Sequence, residues 1–414
     1  MPKFKNRLVV LSDGERYSLL VDESGSPHWF ATLYATTQVR NASKAPNTIQ
    51  AVLGGINLLF SWADENDIDL ESRFSQRRFL TASEVESLRA YTQTKKSAGD
   101  VPQNKPTRKR VFGANLSVPP SRVSSATHYN RLTYIADFLS WYASRIVERE
   151  AKAIDAFASV AIKAMEKSIL VRRPQKSHRS RLSQRKGLSQ NGQNELLELV
   201  RAGSQNNPFS VPVQVRNEIL ILILYHLGVR AGELLSLKVS DFDFQNNEVV
   251  IARRHGDIDD PRKNQPVAKT LDRRVPLTQS LAKLIYEYVV QDRNQFPRAQ
   301  KHEFLLVVHR SGPYHGAPLT SKGLAKIFTE LRNAGSSELA NLTPHVLRHT
   351  ANENFSVLMD KKGVSSAEEE KMRSYLMGWK EGSGSAATYT RRHIESKARE
   401  VSLQLQDHKK GSNH

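Results

Sequence analysis

The chain has 414 residues, 61 Lys and Arg against 42 Asp and Glu, a formal net charge of +19, 39% hydrophobic residues and no cysteine. That length accommodates two or three domains, and the composition supports packed cores rather than general disorder. Lack of cysteine excludes disulfides, thiol nucleophiles and cysteine-based zinc sites, while the basic excess points to a polyanion, whose binding neutralises phosphates and releases counterions.

Residues 1–25 alternate apolar and polar around Leu8–Leu11 and Tyr17–Val21, with Asp13-Gly14 between, which reads as a small hairpin. This N-terminus has neither a long apolar core nor a small-residue cleavage site, so no signal peptide is expected. Nor does the chain contain a run of about 18 apolar residues, so no membrane span is expected.

The period then changes. AVLGGINLLFSWADENDIDL places Val52, Ile56, Leu59, Phe60 and Trp62 on one side of a helix. TASEVESLRAYTQTKK predicts another, with Thr81 as N-cap and Glu84 three residues on. Residues 95–124 are rich in Lys, Arg, Pro, Ser and Gly and read as a basic linker. One further helix is predicted over HYNRLTYIADFLSWYASRIVEREAKAIDAF, with Leu132, Ile135, Phe138 and Leu139 in register. The run RRPQKSHRSRLSQRK, residues 172–186, carries seven Lys or Arg. It is either a solvated segment or a linker lying along DNA between domains, and its position favours the linker.

A second domain begins at Leu188. NGQNELLELVRAG is an amphipathic helix, and VRNEILILILYHLGVRAGELLSL is apolar and helical, broken at Gly228. EVVIARRH and RRVPL read as strand arms around a polar connection. SLAKLIYEYVVQDR, SKGLAKIFTELRNAG and HVLRHTANENFSVLMD read as helices. The fold class is mainly α with a small antiparallel β element.

Four segments of this domain resemble the boxes of the tyrosine recombinase (phage integrase) family: GVRAGELLSL with Arg230, AKTLDRRVPL with Lys269, TPHVLRHTAN with His345, Arg348 and His349, and LMGWKEGSGSAATYTRR with Trp379 and Tyr389. Each is weak alone. In this order and approximate spacing, over residues 188–400, they form a strong signal.

The residue types suit phosphodiester chemistry. A phenol can form a covalent phosphotyrosine, splitting one hard step into two easier ones. Paired arginines give charge-assisted, forked hydrogen bonds to non-bridging oxygens. The resemblance implies that Arg230 and Arg348 are this clamp, that Tyr389 is the nucleophile and that Lys269 is the general acid for the 5′-oxygen. It also implies that His345 assists proton transfer and binds phosphate, and that Trp379 donates to a phosphate oxygen.

Lys269 has rivals in Arg262, Lys263, Arg273 and Arg274, all in one connection; Lys-Thr before Val-Pro-Leu favours Lys269. Tyr375, in the helical pattern KMRSYLMGW, is expected in the core, leaving Tyr389 after the Gly/Ser-rich EGSGS as the presented tyrosine. His349 reads as a packing neighbour. Glu233, one turn after Arg230, is a candidate to orient an arginine. The chain departs from the family pattern in the long connection from Val250 to Lys269, in an acidic, Lys-rich insertion around DKKGVSSAEEEK, and in a gap from Trp379 to Tyr389 about one residue longer than usual.

The resemblance further implies an N-terminal helical core-binding domain plus an α+β catalytic domain, together clamping DNA. The expected divisions are 1–25 as an N-terminal segment, 26–170 as the core-binding domain, 171–187 as the basic linker, 188–406 as the catalytic domain and 407–414 as a tail. RRHIESKAREVSLQLQ, with Ile394, Val401, Leu403 and Leu405, either packs on its own domain or exchanges with a neighbouring protomer. Expected partners are double-stranded DNA, three further copies in a homotetramer on paired sites, and accessory DNA-bending or directionality proteins. No cofactor and no metal are expected, and the expected location is the cytoplasm, with the nucleoid. Two rival readings share the scaffold: a type IB topoisomerase-like enzyme and a DNA-binding regulator.

Overall fold

A computed structural model of the chain describes residues 4–42, 46–94, 121–151, 156–175, 187–254, 256–266, 270–380, 398 and 401–406. Residues 95–120, 176–186 and 407–414, and with them most of the two expected basic linkers and the tail, lie outside the described residues, as do Lys269, Tyr389 and Ile394. The chain divides into two compact units: Met1–Leu11 with Arg16–Ser183, and Ser12–Glu15 with Gln184–His414. Both are mainly helical, and each carries a small antiparallel sheet.

In the first unit, β1 (Lys5–Val10) pairs with β2 (Arg16–Val21), Val9 facing Tyr17 and Leu8 facing Ser18. The hairpin is not an appendage. Leu20 is buried in the same cluster as the helices, and Tyr17 Oη shares a hydrogen bond of 2.5 Å with Thr36 Oγ1.

The helices are α1 (Trp29–Tyr34), α2 (Pro46–Glu65), α3 (Leu70–Ser75), α4 (Ala82–Gln93), α5 (Ser125–Ala151) and α6 (Ala156–Val171). Val52, Ile56, Leu59 and Trp62 of α2 share a core with Leu132, Ile135, Phe138 and Leu139 of α5; Phe60 packs at its margin. Thr81 caps α4, with its hydroxyl accepting from Glu84 N and the Glu84 carboxylate accepting from Thr81 N. One helix was expected through Phe157. Instead α5 ends at Ala151, and α6 places Ile162, Met165 and Ile169 in the same core. Of the basic run, Arg172 pairs with Glu86 at 3.2 Å and Arg173 lies 4.4 Å over the Tyr129 ring, so both are held on this unit.

In the second unit, α7 (Gln190–Val200) precedes the apolar α8 (Val211–Leu227), whose Ile219, Leu220, Ile221, Ile223 and Leu224 are buried. Gly228 ends α8 in the left-handed region, φ 58°; a Cβ there would lie 3.0 Å from Ala351 Cβ and Met377 Cε. The short α9 (Ala231–Ser236) follows at once.

The sheet runs β3 (Phe242–Asp243), β4 (Glu248–Ile251), β5 (Arg273–Pro276), with Val249 opposite Val275 and Ile251 opposite Arg273. The strand β3 was not foreseen. After α10 (Gln279–Glu287) come α11 (Ser321–Ala334), α12 (Pro344–Lys361), packed along α8, and α13 (Ser366–Met377). The expected insertion is the end of α12, a turn with Gly363 at φ 67°, and the start of α13, capped by Ser365.

Candidate active site

The left-handed turn at Gly228 throws Arg230 to the N-cap of α9, one turn before Glu233. Glu233 has no solvent-exposed side-chain surface and collects cations from its own box and from two distant ones. Its Oε2 accepts from the Arg230 backbone N–H at 2.8 Å, and its Oε1 lies 3.8 Å from Arg230 Nη1. Arg348 Nη1 stands 4.0 Å from Oε2, and Arg273 Nη2 donates to the same oxygen at 3.1 Å. Thr270 Oγ1 donates to Oε1. Three guanidiniums around one carboxylate leave a positive excess in a desolvated place, a standing field for an anion.

The two clamp candidates differ in access. The Arg348 side chain is 2% exposed; it donates from Nη1 to Gly228 O at 2.6 Å and from Nη2 to Met377 O at 3.1 Å. Arg230 keeps 37% of its side chain exposed. Trp379, buried, lies with its ring 5.2 Å from Arg348 Cζ. Its position follows from Gly378, which ends α13 in the left-handed region, φ 63°.

His345 occupies the first turn of α12, after the Thr343 cap and Pro344, and is exposed. It meets His349 edge to face with ring centroids 4.4 Å apart. Arg348 follows His345 by three residues, so one helical turn presents both on one face.

Arg230, His345, Arg348 and Trp379 are thus placed around α9, α12 and the end of α13. Lys269 and Tyr389 lie outside the described residues. Thr270, next after Lys269, is fixed on Glu233, and the Pro266 carbonyl accepts from Ser236 Oγ at 3.0 Å. Both flanks of 267–269 are therefore tied to α9.

Among the rivals, Arg262 is buried on Asp260 and on the Leu235 and Leu319 carbonyls, Arg273 is buried on Glu233, and Arg274 pairs with Glu248. Lys263 is exposed. The described part of the long connection is thus ion-paired to the residues before β3, with Lys238–Asp257 at 2.9 Å and Arg254 on Asp241.

One expectation fails outright. Tyr375 is not core but 61% exposed on α13, its hydroxyl 3.5 Å from Arg274 O. The buried face of that helix is polar: Arg373, Glu369 and Ser356 of α12 bond one another there. Sequence reasoning also missed the role of Arg273. The alternation over RRVP, with Arg273 and Val275 inward and Arg274 and Pro276 outward, was the available signal.

Residues 190–393 match the phage integrase family model. A tyrosine recombinase XerC of Roseiflexus castenholzii is 30% identical over 230 residues, which is 54% of this chain and 64% of that protein. The XerC of Bacillus pumilus is 32% identical over 146 residues, 34% of this chain and 41% of its own. A solved Tn1549 transposon integrase in complex with transposon right end DNA shares 15% identity, covers 89% of this chain and 99% of its own, and has a TM-score of 0.49. Over residues 190–393 the chain carries a phage integrase family domain, and the curated relatives it resembles are tyrosine recombinases. It spans less than two thirds of the length of these two curated relatives.

Proposed function

We propose that the protein is a site-specific DNA recombinase that cuts and rejoins strands through a 3′-phosphotyrosine. The convergence of Arg230, Arg348 and Arg273 on the buried Glu233 carboxylate, with Trp379 against Arg348 and His345 one turn before it on α12, carries this reading. Site-specific recombination is what the names of the curated relatives and the family model support, and the net charge of +19 suits a duplex partner.

Tyr389 Oη attacks the scissile phosphorus; a P–O bond to tyrosine forms and the bond to the 5′-oxygen breaks. The leaving oxygen takes a proton from the Lys269 ammonium, and the phenolic proton passes towards His345. Arg230, the accessible guanidinium, and Arg348, held rigid by two carbonyls, stabilise the phosphorane, with Trp379 bracing Arg348. Attack of a 5′-hydroxyl reverses the step and conserves the bond energy, so neither ATP nor a metal enters the scheme. In residues 401–406, Val401, Leu403 and Leu405 are exposed, which supports exchange of this helix between protomers of a tetramer on paired sites.

A nicked duplex from which the cut 5′ fragment diffuses away tests the proposal. Wild-type protein should accumulate a covalent adduct that Tyr389→Phe does not form. No adduct from the wild type would instead support a DNA-binding regulator. Relaxation of a single supercoiled plasmid without site pairing would support a topoisomerase-like enzyme.

A further inference from the structure

Arg273 opens β5 with its side chain 1% exposed, so it does not touch substrate. Its guanidinium nevertheless makes an unusual set of contacts. Nη2 donates to Glu233 Oε2 at 3.1 Å; Nη1 lies 3.4 Å from both Glu233 Oε1 and Thr270 Oγ1; Nε donates to the Leu376 carbonyl at 2.6 Å. Two residues earlier, Leu271 N–H donates to the Gly378 carbonyl at 3.0 Å. The fit is close: a Cβ on Gly378 would stand 2.6 Å from Arg273 Nη1. One side chain therefore joins α9 with Arg230, the stretch that follows Lys269, and the end of α13 before Trp379.

We propose that Arg273 is a positioning residue for Lys269. The inference rests on the reading of Lys269 as general acid. Thr270 is covalently next to Lys269, so its Cα is about 3.8 Å away whatever the conformation of the lysine. Arg273 and Glu233 between them hold the Thr270 hydroxyl, and Leu271 is pinned to Gly378. This fixes Thr270, the residue that follows Lys269 in the chain, at the level of Glu233, next to the arginines. A planar fork with donors in several directions serves three acceptors at once; an ammonium has neither the reach nor the geometry. Burying a guanidinium is expensive and seldom adds stability over apolar packing, which favours a role in placement.

The test compares cleavage of two nicked duplexes, one with oxygen and one with sulfur at the 5′-bridging position of the scissile phosphodiester. A thiolate leaves without a proton, so sulfur bypasses the general acid. Arg273→Gln should lose about 100-fold on the oxygen substrate, in the range of general-acid effects, and return to within about tenfold of wild type on sulfur. Arg273→Lys, which keeps the charge should the glutamine variant fail to fold, should show the same sulfur-restored defect at about tenfold on oxygen. An equal loss on both substrates from a folded variant overturns the proposal. Lys269→Ala separates the two layers. Restored by sulfur while the Arg273 variants are not, it upholds the general acid and sinks the positioning role. Not restored, it removes the general-acid reading and the proposal together.

Discussion

Arg348 donates to the carbonyl of Gly228 at 2.6 Å. The second arginine of the candidate clamp thus holds the helix end from which the first, Arg230, is launched two residues later. That bond, the left-handed φ of Gly228 and the packing of α12 along α8 make the two guanidiniums one unit rather than two independent groups.

Gly228→Ala puts this linkage under strain. A side chain in the left-handed region costs about 1–2 kcal/mol, and contact with Ala351 and Met377 adds to it. The expected loss is about 1–3 kcal/mol by urea unfolding, with a slower covalent step. A variant as stable and as active as wild type would show that the turn does not set the clamp.

Glu233→Gln keeps the shape and removes the only carboxylate that the three arginines share among the described contacts. Uncompensated buried charge costs about 3–5 kcal/mol, and a loss of that order is expected in the second unit's unfolding transition. Cleavage should fall as well, because the guanidiniums lose their common anchor.

His309 gives an acid limit to stability. Burial, with Arg216 nearby, lowers its pKa from 6.5 to about 4. Its contacts to Pro212 O at 2.7 Å and Tyr288 Oη at 3.2 Å suit the neutral ring, Nδ1–H donating to the carbonyl and Nε2 accepting from the phenol. The unfolded chain binds the proton more tightly, so this stabilisation is complete above pH 6.5 and is lost as pH falls towards 4. Between about pH 7.5 and pH 5 the loss should be about 2 kcal/mol, at about 1.4 kcal/mol per unit. Thermal unfolding of wild type and His309→Gln across this range checks it: the variant's curve should be flatter.

In the first unit, Thr81→Ala removes the side-chain acceptor that caps α4, and about 1 kcal/mol of stability should go with it. DNA binding should be unchanged at low salt. For the wild type, affinity should fall by about three orders of magnitude or more between about 50 and 200 mM salt if the phosphate contacts number six or more. A flat response would contradict a clamp built on phosphate.

Much of this was legible in the sequence because local chemistry and packing agree. The Thr81 and Glu84 pair, the break at Gly228 and the periodicity of α2 and α5 each announce what forms. Failures came where the buried face is polar. On α13 Glu369 and Arg373 turn inward and neutralise each other, leaving Met372 and Tyr375 outside, so a hydrophobic period assigns the wrong side. Arg273 was weighed as a rival to Lys269 because a run of basic residues does not reveal which one meets a carboxylate 40 residues earlier. That pairing is tertiary. The helix α6 went unassigned: the expected helix stopped at Phe157, two residues into it, and the apolar period of residues 158–171 was not read.

The exposure of Tyr375 gives the central claim its most direct test, because two tyrosines then compete for the role of nucleophile. The adduct trapped on a nicked duplex should be digested with nuclease and protease, and the nucleotide-bearing residue located by mass spectrometry. Nucleotide on Tyr389 is the expected result. Nucleotide on Tyr375, or on any residue other than Tyr389, would contradict the account.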